Sequence, residues 1–275
     1  MSASNPTLCG SIARRPGRFG VAMHTAAYRA LGLDWSYVAF ATEDTGGAVA
    51  AMRSLGIRGL GVTMPHKVRI LPLLDTVTDD ARAIGAVNTV VNDDGRLTGH
   101  NVDWIGALAA VREVLELEEA RAAVIGAGGG ARAIAWGLVR AGADVTLFNR
   151  SADQGRILAD SLGARFGGAP EALAKAGPFA LIAHATPVGF HDEGAMLPLA
   201  GALRPGTVVL DAVPMPVDTR LLRIARAAGC RTIPGVRMQL HQAARQFALY
   251  TGREPDLAVM DNALQEALTA MTAVV

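Results

Sequence analysis

The sequence predicts an α/β fold in two domains, one built on a mixed sheet and the other on a doubly wound, mainly parallel sheet. Three observations carry that prediction. Short apolar runs of strand length alternate with amphipathic helical runs along most of the chain. An Asp-Gly hairpin signal interrupts the first alternation, and a glycine-rich strand-to-helix turn opens the second. The 275 residues, 51% hydrophobic and 19% charged, suffice for two cores of ordinary size.

In the first hundred residues the pattern runs as strand Leu8–Ile12, helix Val21–Leu31, strand Trp35–Ala41, helix Gly47–Leu55 and strand Gly59–Thr63. Asp93-Asp94-Gly95, between strands Ala86–Val91 and Arg96–Asn101, reads as a hairpin because Asp-Gly tolerates the positive φ of tight turns. An antiparallel pair inside a parallel alternation makes the sheet mixed. Asp103 then opens an apolar helix to about Leu115, and Glu116–Ala120 is a charged stretch where two units could join. Beyond it, strands Ala122–Ile125, Asp144–Asn149, Ala180–Ala183, Thr207–Asp211 and Arg231–Ile233 are separated by helical patterns. After Pro234-Gly235, Met238–Tyr250 and Leu257–Met271 read as two amphipathic helices that pack back on the first domain. The expected domains are residues 1–104 with 238–275, and residues 105–237.

Charge and cysteine usage exclude several classes. Twenty-six basic against 25 acidic residues leave a net charge of +1, too little to draw in nucleic acid or an anionic membrane. Cys9 and Cys230 form neither a disulfide framework nor a zinc-site spacing, which fits a reducing cytoplasm. No leader or membrane-spanning run is expected; Ala133–Phe148, the most tempting candidate, is broken by Arg140, Gly142 and Asp144. His24, His66 and His241 show no ligand spacing, so no metal is expected.

Gly126-Ala127-Gly128-Gly129-Gly130-Ala131 follows a strand and precedes a helix, in the pattern G-x-G-x-x-[GA]. The first glycine permits the turn, the second admits a pyrophosphate against backbone, and the small third residue lets helix and strand approach. This predicts a Rossmann-type dinucleotide site. At the end of the next strand Asn149-Arg150-Ser151 stands where an acid would accept from a ribose 2′-hydroxyl. An arginine there pairs with a 2′-phosphate and Ser151 adds a donor, selecting NADP over NAD.

Lysine is scarce: Lys67 and Lys175 are the only two. Unlike arginine, lysine gives up a proton at modest cost, so a lysine in an arginine-biased chain is a candidate acid or base. Lys67 lies in Gly61-Val62-Thr63-Met64-Pro65-His66-Lys67, where a strand ends and a helix begins, the place where clefts of open α/β sheets form. Ala86-Val87-Asn88-Thr89 and Asn101-Val102-Asp103-Trp104 also set polar side chains at apolar strand ends.

Together V-T-x-P-x-K, A-V-N-T and N-x-D, with Met238, His241-Gln242 and Phe247 late in the chain, resemble the shikimate dehydrogenase family, in that family's order. The resemblance implies an N-terminal substrate domain completed by the C-terminal helices, an NADP domain between, and reversible oxidation of an alicyclic secondary alcohol to its ketone. It implies Lys67 and Asp103 as the catalytic pair and Thr63, Asn88 and Gln242 as holders of the ring hydroxyls. It sets Thr186, Val213, Gly235 and Met238 at the nicotinamide end. An ammonium beside the carbonyl stabilises developing negative charge and donates the proton. A neighbouring carboxylate favours charged lysine, so any lowering of its pKa must come from burial and cleft closure.

The chain departs from the family pattern in three places. The family's serine-x-serine pair ahead of a histidine holds a carboxylate; counting back from His24, Arg18 and Gly20 take those places, and Arg14-Arg15-Pro16-Gly17-Arg18 looks two residues longer than usual. The family's tyrosine position is Pro214. His184 stands where asparagine is usual. The arginine loop and Met215-Pro216-Val217-Asp218-Thr219 resemble the shikimate dehydrogenase-like branch, and Arg15 or Arg18 is expected to grip a substrate carboxylate. His191-Asp192-Glu193-Gly194 is expected to be a mobile loop over the nicotinamide site. Shikimate or a close alicyclic hydroxy acid is the expected substrate of a monomer or homodimer. The alternatives are a quinate- or aminoshikimate-type dehydrogenase, or an NADP-binding regulatory protein with little catalysis.

Overall fold

The computed structural model describes residues 6–190, 192 and 194–272. Two compact units emerge, residues 1–102 with 242–275 and residues 103–241. The first holds β1 (Thr7–Ala13), α1 (Phe19–Ala30), β2 (Trp35–Ala41), α2 (Thr45–Ser54), β3 (Gly59–Val62), α3 (His66–Arg69), β4 (Thr76–Val77), α4 (Asp79–Ile84), β5 (Thr89–Asp93) and β6 (Arg96–His100). Its strands lie in the order β2-β1-β3-β5-β6-β4.

β1 pairs in parallel with β2 and β3, while β3–β5 and β5–β6 are antiparallel, so the sheet is mixed. The antiparallel step is set by a two-residue turn with Asp94 at φ 50° and Gly95 at φ 92°, the left-handed pair that matches the twist of the flanking strands. Asn92 clamps it: Oδ1 accepts from the Gly95 N–H at 2.7 Å, and Nδ2 donates to the carbonyls of Met52 and Ile57. β5 begins at Thr89 rather than Ala86, because Val87 N–H turns away to the Lys67 carbonyl. The two-residue β4 carries no sequence signal, and the helix expected to begin at Lys67 is the four-residue α3. Ile12, Leu60, Val62, Val90 and Leu97 form one apolar layer with Met52 and Ile57.

The second unit starts at Asp103, so the charged stretch at 116–120 lies inside it rather than at a junction. It runs α5 (Asp103–Arg112), β7 (Arg121–Ile125), α6 (Gly129–Arg140), β8 (Asp144–Phe148), α7 (Ala152–Leu162), β9 (Arg165–Gly168), α8 (Leu173–Ala176), β10 (Leu181–His184), β11 (Val208–Asp211), α9 (Arg220–Ala227), β12 (Arg231–Pro234) and the start of α10 (Gly235–Thr251). The division falls within α10, between His241 and Gln242, and α11 (Leu257–Thr272) packs on α1 in the first unit.

The second sheet is parallel throughout, in the order β12-β11-β10-β7-β8-β9. Side chains alternate between two buried faces: Ala122, Val124, Leu181, Ala183, Val208 and Leu210 pack on one, Ala123, Ile125, Ile182 and Val209 on the other. Burial on both sides is why these strands read as continuous apolar runs. β9 escaped the sequence reading because Arg165-Phe166-Gly167-Gly168 holds a single large apolar side chain. In sequence order the topology turns back at β7–β10, and crevices of such sheets open at the strands' carboxyl ends there.

Candidate active site

At the carboxyl end of β7 the Gly126 N–H bonds the Phe148 carbonyl at 2.8 Å, and the backbone turns at φ 119°. A Cβ on Gly126 would lie 2.9 Å from the Ala185 carbonyl oxygen and 3.3 Å from the Ala131 Cβ, so glycine is dictated by both conformation and space. Ala131, fully buried, is the small residue under that turn. Gly128 caps α6 with extended backbone and no side-chain cap, leaving the first N–H groups of the helix pointing outward. Around Gly128 and Gly130 a Cβ would meet nothing within 4 Å. An open cradle at the N-terminus of a twelve-residue helix fits a pyrophosphate.

Asn149, Arg150 and Ser151 follow the next strand, and the latter two are exposed. Asn149 Nδ2 donates to the Ser151 carbonyl at 2.9 Å, which fixes the bend; the Ser151 side chain makes no cap bond to α7. Among the described residues no hydrogen bond or ion pair engages the Arg150 guanidinium, which leaves it available for a 2′-phosphate.

Three strand ends converge beside the cradle. His184 pairs in register with Asp211 on one side and Ile125 on the other. Thr186 follows two residues later, Val213 donates its N–H to Asp211 at 3.1 Å, and Gly235 begins α10. A Cβ on Gly235 would fall 2.5 Å from the Val213 carbonyl oxygen, so this close approach needs glycine. Met238 is buried in the core of the unit, and so underlies this corner rather than standing open at it. His191 and Glu193 of the expected mobile loop lie outside the described residues.

In the first unit Thr63 is exposed at the end of β3, its N–H bonded to the Ile12 carbonyl, and its own carbonyl accepts from His66. His66 is wholly buried: its ring meets Thr45 Oγ1 at 2.7 Å and the Thr42 carbonyl at 3.0 Å. That anchorage holds α3 and presents Lys67, half-buried, whose carbonyl takes the Val87 N–H. Asn88 is buried, with Oδ1 accepting from Val102 N–H at 2.7 Å and Thr89 Oγ1 at 2.9 Å. Asp103, also buried, is the first residue of α5, where the helix dipole favours a carboxylate. Gln242 is half-buried on α10.

Gln246, one turn beyond Gln242, is a residue that the sequence reading missed. Its Nε2 donates to Thr89 Oγ1 at 3.0 Å and to the Asn88 carbonyl at 3.3 Å, tying α10 to β5. Tyr37 hydrogen-bonds Ser11, and a Cβ on Gly61 would meet Tyr37 Oη at 3.0 Å and Gln246 Nε2 at 3.4 Å. The i, i+4 spacing of the two glutamines was the available signal. The arginine loop stands beside this platform: the Arg14 N–H bonds the Met64 carbonyl at 3.3 Å, and its guanidinium pairs with Glu43 at 2.6 Å. Arg15 and Arg18 are exposed, and among the described residues no ion pair engages them. His241 and Arg237 both bind the Glu113 carboxylate, and that pairing holds Glu113 below the usual carboxylate range.

A parallel sheet in this strand order, with a glycine cradle at its switch point and an arginine at the end of the adjoining strand, defines a Rossmann-type dinucleotide-binding protein. The other unit, built on a mixed sheet, carries a lysine just past a strand end. Family models match at residues 19–90, the shikimate dehydrogenase substrate binding domain, and at residues 235–265, the shikimate 5′-dehydrogenase C-terminal domain. A shikimate dehydrogenase (NADP(+)) of Methanothermobacter thermautotrophicus is 41% identical over 90% of this chain and 91% of its own. The shikimate 5-dehydrogenase of Thermus thermophilus, solved with NADP(H) and shikimate, superimposes with a TM-score of 0.87 at 37% identity, over 95% of this chain and 100% of its own. A 5-ketofructose reductase of Gluconobacter, solved ligand-free, gives a TM-score of 0.84 at 34% identity, over 94% and 98% of the two chains. The chain belongs to the shikimate dehydrogenase family.

Proposed function

We propose that this protein is an NADP-dependent oxidoreductase that interconverts shikimate, or a close alicyclic hydroxy acid, and its 3-dehydro ketone. The observation that carries the reading is the likeness, over nine-tenths of the chain, to proteins named shikimate dehydrogenase (NADP(+)). Residues 1–104 with 238–275 act as the substrate domain and 105–237 as the NADP domain. The pyrophosphate lies against Gly126, Ala127, Gly128, Gly129, Gly130 and Ala131, and the 2′-phosphate against Asn149, Arg150 and Ser151. NADP, when bound, supplies the hydride-transfer chemistry.

Lys67 and Asp103 form the catalytic pair. In oxidation Lys67 Nζ would take the proton of the substrate hydroxyl while the carbinol hydrogen leaves as hydride to the oxidised cofactor; in reduction Lys67 Nζ would return that proton to the carbonyl oxygen as the hydride comes back. Asp103 orients the lysine. Thr63, Asn88 and Gln242 hold ring hydroxyls, and Arg15 or Arg18 holds the carboxylate that a serine pair holds elsewhere in the family. Two buried free thiols suit a reducing cytoplasm.

A second reading has a specific observation behind it. The missing serine pair removes a carboxylate grip, and a keto-sugar reductase is among the similar structures, so the substrate could be an uncharged polyhydroxy ketone. The deciding experiment is NADP⁺ reduction with shikimate, quinate and aminoshikimate, beside NADPH oxidation with 5-ketofructose, with Lys67→Ala as control. Lys67-dependent turnover of shikimate, with KM raised about tenfold in Arg18→Ala or Arg15→Ala, supports the acid reading. Turnover of the sugar alone supports the second.

A further inference from the structure

His184 ends β10 and Asp211 ends β11, directly opposite each other in the parallel register, and both are about 2% exposed or less. Asp211 accepts three hydrogen bonds: from Val213 N–H at 3.1 Å, Thr219 Oγ1 at 2.6 Å and His184 Nδ1 at 2.9 Å. Thr219 in turn caps α9 by accepting from Leu222 N–H at 3.2 Å, so the carboxylate cannot move without disturbing that helix. A carboxylate only accepts, so Nδ1 carries the proton toward it. The other ring nitrogen, Nε2, lies 2.6 Å from Thr186 Oγ1, so the ring bridges the carboxylate to that hydroxyl. The Thr186 oxygen also takes the Val188 N–H at 3.3 Å.

We propose that the Asp211–His184 pair fixes the Thr186 hydroxyl in place to hydrogen-bond the nicotinamide-nucleoside half of NADP. The inference rests on the NADP reading above and goes beyond it: His184 is a positioning residue acting through Thr186. An asparagine at 184 could bond Asp211 but is too short to span to the threonine as well, so the hydroxyl would be free to rotate.

The test measures dissociation constants for NADP⁺ and for 2′,5′-ADP, which lacks the nicotinamide half, with full-length protein. The variants are His184→Asn, His184→Phe, Thr186→Val and the double variant His184→Asn/Thr186→Val. Each single change is expected to weaken NADP⁺ about five- to tenfold, the range of one neutral hydrogen bond, and to leave 2′,5′-ADP unchanged. The double variant should be no weaker than the worse single one, because both act on one contact. Equal weakening of both nucleotides would overturn the proposal in favour of a plain scaffold role, as would NADP⁺ binding undiminished in His184→Asn. Failure of the unaltered protein to bind 2′,5′-ADP would remove the NADP reading itself and this proposal with it.

Discussion

Gly128→Ala separates a cofactor cradle from a merely structural turn. The residue has φ −76° and ψ 179°, a conformation open to any L-amino acid, and its Cβ would meet nothing within 4 Å. The cost to folding is confined to a poorer helix cap, about 1 kcal/mol or less. Bound pyrophosphate, in contrast, would be lifted off the first N–H groups of α6. Losing one charge-assisted hydrogen bond costs about 1.5–3 kcal/mol, or roughly 10- to 150-fold in Kd. With ligand at about 100 times the unaltered Kd, NADP⁺ stabilises by about 2.7 kcal/mol; a 100-fold weaker variant retains about 0.4 kcal/mol. The difference corresponds to about 5 °C or more in ligand-induced Tm shift. Thermal unfolding with and without NADP⁺ reads it directly. A Tm shift in Gly128→Ala equal to that of the unaltered chain would refute the cradle, and a variant that unfolds without ligand would refute the reading of open space. Gly126→Ala is no substitute, since its Cβ clash and positive φ damage the fold itself.

Other outcomes follow from particular side chains. Arg150→Ala should raise the Kd for NADP⁺ about 10- to 150-fold and leave that for NAD⁺ within about threefold, as titrations with the two nucleotides will show. Lys67→Ala should lower kcat by about 10²–10⁴ while NADP⁺ binding persists, and Asp103→Asn should lower kcat in the same assay. His24 is fully buried, stacked on Tyr37 at 4.2 Å, and burial pushes its pKa down from 6.5 to about 3. Below pH 6.5 the unfolded chain binds a proton that the folded one refuses, so stability present above pH 6.5 falls by about 1.4 kcal/mol per pH unit on acidification. His100, also lowered by burial, acts in the same sense. His24→Phe keeps the stack and should flatten urea-denaturation stability between pH 6.5 and 5 by about one proton's slope; an unchanged slope would contradict the burial argument.

The period-two and helical patterns made most elements legible because burial on one or both faces imposes them on the sequence. Trp35–Ala41 emerges with the expected ends, and the Asp94-Gly95 turn is the expected left-handed pair. The short elements were hidden: Thr76–Val77 is a two-residue strand at the sheet edge beside β6, and Arg165–Gly168 has too few apolar side chains to declare a strand. His66 illustrates a different limit, since nothing local distinguishes a residue facing a cleft from one bonded to Thr45 and Thr42 on distant parts of the chain.

By itself the sequence determined the two α/β units, the glycine-rich turn and the strand-end positions of Lys67 and Arg150, because backbone space and charge are properties of residue type in local context. Only the tertiary structure joined Gln246 to Thr89, and His184 to Asp211 and Thr186. These partners come from separate segments, and hydrogen bonding depends on distances of about 3 Å that only packing sets.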